Sequence, residues 1–346
     1  MWAISTSASE ESKIGIFAHY CNWHIKNQNI SSWRYANTIP LRYSPPGILG
    51  YDSQDKRIIA EHNAEMKANG IIPLISWWGP NTRPGDKFLR TYLSVDSDVQ
   101  IGILYEVTVR LIKNNTGRFS FDDPRNVRRF IEDITHLHET FFTRFPQRFY
   151  KMDGRPVVFI WLSHAFKGRF DLAVQKLREK IPVYIIGSDI NIYSHFRPDL
   201  ISTVRGVDAI SAYGIYAPNS TRQSGGHLNR DYVDKYAKSL RDWSTWAENN
   251  VPNVKLIVPI EFMFRDNRSN PELRSTPMEA SYLLSKIQEF FVKSKCGNVL
   301  PYVLVVSYNE HYEGTSIEPT VEYGSFYLDL LRTIFRGENT ELYNCK

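Results

Sequence analysis

Eight short apolar runs punctuate the chain, at 14–20, 71–78, 100–107, 157–163, 182–188, 208–213, 255–262 and 302–310. Most are continuous rather than alternating, and β-branched residues are frequent in them, which is how strands covered on both faces read. Amphipathic stretches lie between. In 124–144, Val127, Phe130, Ile131, Ile134, Leu137 and Phe141 recur at three and four and make one apolar stripe. Asp122, Asp123 and Pro124 supply its start. In 277–295, Ala280, Leu283, Leu284, Ile287 and Phe291 do the same after Thr276-Pro277. The stretches 54–69, 170–180, 230–249 and 323–336 are helical in pattern too, and 86–94 and 194–204 carry fainter versions.

Eight strands, each followed by a helix, predict an α/β chain folded as a single-domain (β/α)8 TIM barrel with extended loops at its C-terminal face. The domain would span 1–337, leaving a polar tail at 338–346. A doubly wound open sheet is the competing architecture. It would carry a Gly-rich phosphate turn after an early strand, whereas the first run here ends in His-Tyr-Cys-Asn-Trp-His. The loop 23–52, rich in Asn, Ser, Pro and Gly, would overhang the active face of a barrel.

Composition narrows the partners. With 42% apolar and 23% charged residues over 346 positions, the chain is an ordinary globular one. The net charge of +5 is small and no block of like charge occurs, which argues against nucleic acid. No apolar run reaches the length of a membrane span, and the first residues lack the apolar stretch of a signal peptide. Cys21, Cys296 and Cys345 form neither a disulfide framework nor a metal-spaced cluster, so they assign no compartment. Asn29, Asn114, Asn219 and Asn267 sit in sequons too short to specify secretion. Aromatic residues make up 14% of the chain, enough to line a cleft that stacks flat ligand faces.

In a barrel, chemistry sits at the carboxyl ends of the strands. Those ends collect His19 and Tyr20, Trp77 and Trp78, Glu106, His164, Asp189, Tyr213, Glu261 and the run Asn309-Glu310-His311-Tyr312-Glu313. The set is acidic and aromatic. It has no phosphate cradle, and the chain has no HExxH, Walker or CxxC pattern, so neither metal nor cofactor is expected. Paired carboxylates flanked by rings are what glycoside hydrolysis requires: one donates a proton to the leaving oxygen, the other acts as nucleophile or base. The expected partner is thus an oligosaccharide or polysaccharide.

Glu310 and Glu313 are three apart. In a helical turn that spacing puts both on one face, with Cβ atoms roughly 5–6 Å apart. Carboxyls about 5–5.5 Å apart suit a retaining glycosidase. Spacing of this kind is common on solvated helices, but here it follows an apolar strand directly, where charges face the barrel mouth. Trp77 and Trp78 are adjacent, so one ring is expected in the core and the other in the cleft. Glu106 would either line the cleft or meet Arg110. Tyr213 is a cleft or a packing residue. His136 and His138 fall on different helix faces and read as surface, and Cys21 reads as a free structural thiol.

Three stretches resemble the endo-α-mannosidase family, glycoside hydrolase family 99. Residues 50–80 (GYDSQDKRIIAEHNAEMKANGIIPLISWWGP) are similar to its first helix and second strand, 207–214 (VDAISAYG) to its sixth strand, and 305–319 (VVSYNEHYEGTSIEP) to its catalytic segment. The matches keep their order over most of the chain; 14–24 matches loosely. The resemblance implies a (β/α)8 barrel that cleaves within α-mannosides and retains anomeric configuration without a metal. It further implies that Glu310 takes the proton of the sugar's own 2-hydroxyl, whose oxygen attacks the anomeric carbon to give a 1,2-anhydro sugar. Glu313 would protonate the leaving group and then activate water. Glu106, one of Trp77 and Trp78, and Tyr213 match positions close to the bound sugar, and Tyr20, Asn309, His311 and Tyr312 complete the expected binding set. Two departures stand out. The family has Trp-His where this chain has His311-Tyr312, and Glu/Gln-Pro where it has Glu106-Val107. A conventional retaining glycosidase on another α-glycan and a non-catalytic carbohydrate-binding barrel of polysaccharide assembly are the alternatives; a phosphate-dependent barrel lacks its Gly-rich loop.

Overall fold

The computed structural model describes residues 14–24, 38, 40–41, 50–188, 201–213, 215, 229–264, 273–274, 277–294 and 297–336. Eight parallel strands close into a barrel: β1 (Gly15–Tyr20), β2 (Ile71–Trp77), β3 (Gly102–Tyr105), β4 (Arg155–Ile160), β5 (Tyr184–Ser188), β6 (Ala209–Ser211), β7 (Lys255–Ile260) and β8 (Val299–Val305). Each pairs with its neighbours in chain order, and β8 returns to β1. The helices between them are α1 (Lys56–Ala68), α2 (Phe88–Leu93), α3 (Pro124–Leu137), α4 (Phe170–Arg178), α5 (Ile201–Gly206), α6 (Arg230–Asn250), α7 (Pro277–Lys293) and α8 (Phe326–Arg336). The expected (β/α)8 barrel is therefore the fold. Most of the 23–52 loop, Asp189, Cys296, Cys345, the sequons at Asn29, Asn219 and Asn267, and the 338–346 tail lie outside the described residues.

Local sequence sets the helix starts. The Asp55 side chain accepts from Arg57 N–H at α1, Asp123 from Arg125 N–H at α3, and Asn229 from Tyr232 N–H at α6. The stripe expected over 124–144 is buried as foreseen at Phe130, Ile134 and Leu137, but α3 gives way after Leu137 to a wider turn that buries Phe141 and Phe142.

Strand alternation divides the core in two. Ile16, Ala18, Ile75, Ile103, Val158, Ile185, Ile210, Val258 and Val303 face outward against the helices. Phe17, Leu74, Leu104, Phe159, Ile186, Ala209, Ile257 and Leu304 face inward and plug the barrel. This plug is the floor on which the site stands.

Candidate active site

Residues two positions beyond the plug on each strand point the same way. On β1 to β6 they are His19, Ser76, Glu106, Trp161, Ser188 and Ser211, so that part of the layer is polar and aromatic, while β7 and β8 place Pro259 and Val306 there. The same alternation corrects the expectation for Tyr20 and decides which of the two adjacent tryptophans is the core ring. Tyr20 and Trp77 point outward into the helix layer, not into the mouth. Tyr20 Oη lies 2.8 Å from His62 Nδ1, and its ring stacks on Tyr308 at 5.8 Å. Trp77 donates to Asp86 Oδ1 at 3.0 Å and stacks between Tyr105 and His136. Trp78, the other half of the pair, is half-buried on the mouth side and meets Trp23 at 5.7 Å. The loop that carries it depends on Gly85: a Cβ there would lie 2.0 Å from the Gly79 carbonyl oxygen.

The strand run expected over 302–310 is shifted. β8 starts at Val299, ahead of Pro301, and stops at Val305; residues 307–317 double back on themselves. Ser307 N–H donates to the Thr315 carbonyl (3.0 Å) and Ile317 N–H to that of Ser307 (3.1 Å). Between these anchors Glu310 to Glu313 form a turn rather than a helix. Ser307 Oγ accepts from Glu310 N–H at 2.7 Å, Glu310 Oε1 accepts from Tyr312 N–H at 3.0 Å, and Gly314 closes the turn at a φ of 64°.

Asn309 and His311 are fully buried beneath that turn, a second correction to the expected binding set. Asn309 pins the turn to β1: its Oδ1 accepts from Cys21 N–H at 2.7 Å, and its Nδ2 donates to the Cys21 carbonyl and to Tyr51 Oη, each at 3.0 Å. The His311 Nε2 lies 3.0 Å from Glu318 Oε2, and its Nδ1 lies 2.9 Å from Thr38 Oγ1. Tyr312 is half-buried and packs on His24 at 5.5 Å.

The mouth itself is formed by Glu310, Glu313, Glu106 and Tyr213. Tyr213 donates to Glu313 Oε2 at 3.4 Å and rests on His19 and Trp161 at 5.1 and 5.7 Å. Burial, then the charges of Glu313, Cys21, Glu310 and Glu106, push its phenol well up. Glu106 does not meet Arg110. That guanidinium is bidentate on Asp133, at 2.8 and 2.5 Å, and lies over Trp77. Left with a 3.4 Å contact from Ser76 Oγ–H, Glu106 is pushed up to about 8 by burial.

Glu310 is pushed up to about 8 as well, first by burial and then by the charge of Glu313; the Tyr312 N–H and the Cys21 thiol oppose the rise. Cys21, driven well up by burial and by the same three carboxylates, is a neutral thiol rather than a nucleophile. His19 is lowered to about 3 by burial, so it is neutral. The remaining strand-end residues are turned to structure: His164 Nδ1 lies 3.0 Å from the Ser188 carbonyl, and Glu261 accepts from Ile215 N–H at 2.9 Å. His136 is not plain surface, since its Nε2 meets Asp86 Oδ2 at 2.8 Å. Among the described residues no group of three or more His, Cys, Asp or Glu is arranged to hold a metal ion.

Sequence reading missed Trp161 and Ser211, although their place two residues after Phe159 and Ala209 follows from alternation once the plug is known. Tyr51, His62 and Glu318, which support the turn carrying Glu310 and Glu313, were missed too; nothing local marks them.

The two raised acids give stability a pH dependence of definite sign. Glu106 ionises near 4.5 when unfolded and near 8 when folded. Its contribution to stability is complete below pH 4.5 and is lost as the pH rises through about 8. Glu106→Gln, neutral at every pH, should leave the melting temperature almost unchanged at roughly pH 4–5 and raise it by a few degrees at about pH 9. Melts at the two pH values check this; equal shifts at both would show that Glu106 is not held protonated.

No family model matches the chain, and no curated protein matches it. Among solved structures it is similar to a glycoside hydrolase-like protein, with a TM-score of 0.66 and 18% identity over 93% of this chain and 94% of that one. It is also similar to the GH99 endo-α-mannosidase from Bacteroides thetaiotaomicron, with a TM-score of 0.61 and 18% identity over 95% of this chain and 98% of that one. The same enzyme in complex with bis-tris-propane gives a TM-score of 0.60 at 16% identity. At these identities the likeness is one of fold, carried along nearly the whole of both chains.

Proposed function

We propose that this chain is a glycoside hydrolase of the family 99 type, a retaining endo-acting α-mannosidase that uses the 2-hydroxyl of its substrate as the internal nucleophile. The observation that carries the reading is the Glu310–Glu313 pair: two carboxylates on one turn at the mouth of a (β/α)8 barrel, where burial first and the charge of Glu313 second raise Glu310. The GH99 likeness in fold and the ordered sequence resemblance support the same assignment.

In this reading the pair shares one proton. Burial and the charge of Glu313 rest it on Glu310 in the free protein. Reaction needs it on Glu313, so the productive form is the minor protonation state of a coupled pair. Glu310 then removes the proton from O2 of the sugar, O2 bonds to the anomeric carbon, and the glycosidic bond breaks as Glu313 protonates the leaving oxygen. Water gives its proton to Glu313 and attacks the same carbon; the three-membered ring opens and O2 recovers a proton from Glu310. Two inversions retain the configuration. Tyr213, on Glu313, and Glu106, held neutral, would bind hydroxyls beside the reacting centre. Trp78 would supply the stacking face. With His311 buried, the family departure at His311-Tyr312 reaches the sugar through Tyr312.

Labelling tests this chemistry. A 2-deoxy-2-fluoro mannosyl donor has no internal nucleophile and should neither turn over nor label the protein, while a cyclitol epoxide or aziridine mimicking the 1,2-anhydro sugar should bind more tightly than the matched sugar. A stable 2-fluoroglycosyl adduct on Glu310, seen by mass spectrometry, would instead make Glu310 a direct nucleophile and the enzyme a conventional retaining glycosidase.

A further inference from the structure

Glu318 is the one buried acid of the catalytic segment that the chemistry above leaves unused. It is 3% exposed and takes three contacts on two oxygens. Tyr51 Oη donates to Oε2 at 2.8 Å, His311 Nε2 lies 3.0 Å from the same oxygen, and His62 Nε2 lies 3.1 Å from Oε1. Burial would raise this carboxyl, but His62 and His311, through charge and hydrogen bonds, overcome it and hold the group well below the usual carboxylate range. A carboxylate accepts only, so each contacting group must bring a hydrogen.

The far side of each partner is fixed in turn. His62 Nδ1 lies 2.8 Å from Tyr20 Oη, while its Nε2 faces the Glu318 carboxylate and so carries a hydrogen. His311 Nδ1 is held by Thr38 Oγ1 at 2.9 Å. Tyr51 Oη accepts from Asn309 Nδ2 at 3.0 Å, and Asn309 grips both backbone groups of Cys21. One anionic group therefore ties the end of β1, helix α1 and the turn carrying Glu310 and Glu313. His311 lies between those two glutamates in the chain, and its ring has no freedom to rotate without breaking a buried contact.

We propose that Glu318 is a positioning residue: as an anion clamping His311, His62 and Tyr51, it fixes the turn that presents Glu310 and Glu313 to the sugar. This rests on the assignment of those two glutamates to catalysis. An amide of the same shape cannot do the job. It carries no charge and offers one accepting oxygen where three groups need two, so a histidine would have to change its protonation to meet the NH2 and the turn would relax.

Glu318→Gln and Glu318→Asp test it, with hydrolysis of α-mannosides bearing leaving groups of graded acidity as the first readout. Misplacing an acid by a fraction of an ångström should lower kcat about 10- to 100-fold for a poorly departing alcohol, with KM little changed. It should hurt an activated aryl leaving group far less, because that group needs little protonation. Glu318→Asp, which keeps the charge, should recover much of the loss, and it carries the same test should Glu318→Gln fail to fold. The second readout needs no turnover: the 13C-carboxyl titration of Glu310, assigned by its loss in Glu310→Gln, should shift in Glu318→Gln as the Tyr312 N–H contact loosens. A loss equal across all leaving groups, or wild-type kcat with an unmoved Glu310 titration, would overturn the proposal. If the wild-type protein hydrolyses nothing, the glycosidase assignment falls, while the Glu310 titration still decides the clamp.

Discussion

Glu313→Gln folds as the wild type does and loses turnover on an oligosaccharide by about 10²–10⁴-fold, the range a positioned general acid supplies. The fold survives because an amide is isosteric with the carboxyl and can still accept from Tyr213 Oη, the 3.4 Å contact that Glu313 makes. The loss is confined to the step that protonates the leaving oxygen, so a substrate with an activated leaving group suffers less. A second consequence is electrostatic. The charge of Glu313 is the second cause, after burial, of the raised Glu310 value near 8. Removing that charge should lower the Glu310 pKa, while burial keeps it above the ordinary carboxylate value. Steady-state kinetics on natural and activated substrates, with carboxyl NMR, check both. Undiminished hydrolysis of an oligosaccharide by the variant would remove Glu313 from the acid role.

The adjacent tryptophans should split. Trp77→Ala deletes a ring with no exposed surface, stacked on Tyr105 and His136 and donating to Asp86. The cavity and the broken buried bond should cost about 3–5 kcal/mol. Trp78→Ala removes a half-buried ring whose neighbour is Trp23. It should leave the melting temperature nearly unchanged and weaken sugar binding roughly 2- to 10-fold, as the loss of one stacking face does. Denaturant unfolding and substrate titration of the two variants separate the effects. Two equal destabilisations would return both rings to the core.

How far the chain could be read follows from which forces are local. The strands were legible because both of their faces are covered, which writes them as continuous apolar runs. That same continuity hides which face looks inward. Phe17 and His19 look into the barrel and Tyr20 looks out, yet all three are buried and nothing in IGIFAHY distinguishes them. Trp77-Trp78 was readable as a split pair, because adjacent strand residues must diverge, but not as to which ring goes where. β8 was read late because Pro301 interrupts its start, and too long because the apolar run continues through Tyr308 after the ladder has ended.

The site divides in the same way. Glu310, Glu313 and Tyr213 were found from strand ends and resemblance, and the structure brings them together. Asn309 and His311 sit beside the glutamates in sequence and face away from the mouth. Their orientation is set by Cys21, Tyr51, Thr38 and Glu318, and of these only Glu318 is near in the chain. The sequence is compatible with Glu106 in the cleft or paired with Arg110; Asp133, 23 residues from Arg110, decides between them by claiming the guanidinium. Contacts of that reach have no local signature.

Hydrolysis of α-mannosides with retention, through Glu310 and Glu313, is the activity proposed for this barrel. A time course of proton NMR spectra, recorded while the protein acts on reduced α-mannan oligosaccharides, tests it most directly. Cleavage is expected inside the chain, with the new reducing end appearing first as the α-anomer and mutarotating afterwards, and none by Glu310→Gln or Glu313→Gln. A β-anomer appearing first, or hydrolysis that persists in both variants, would contradict it.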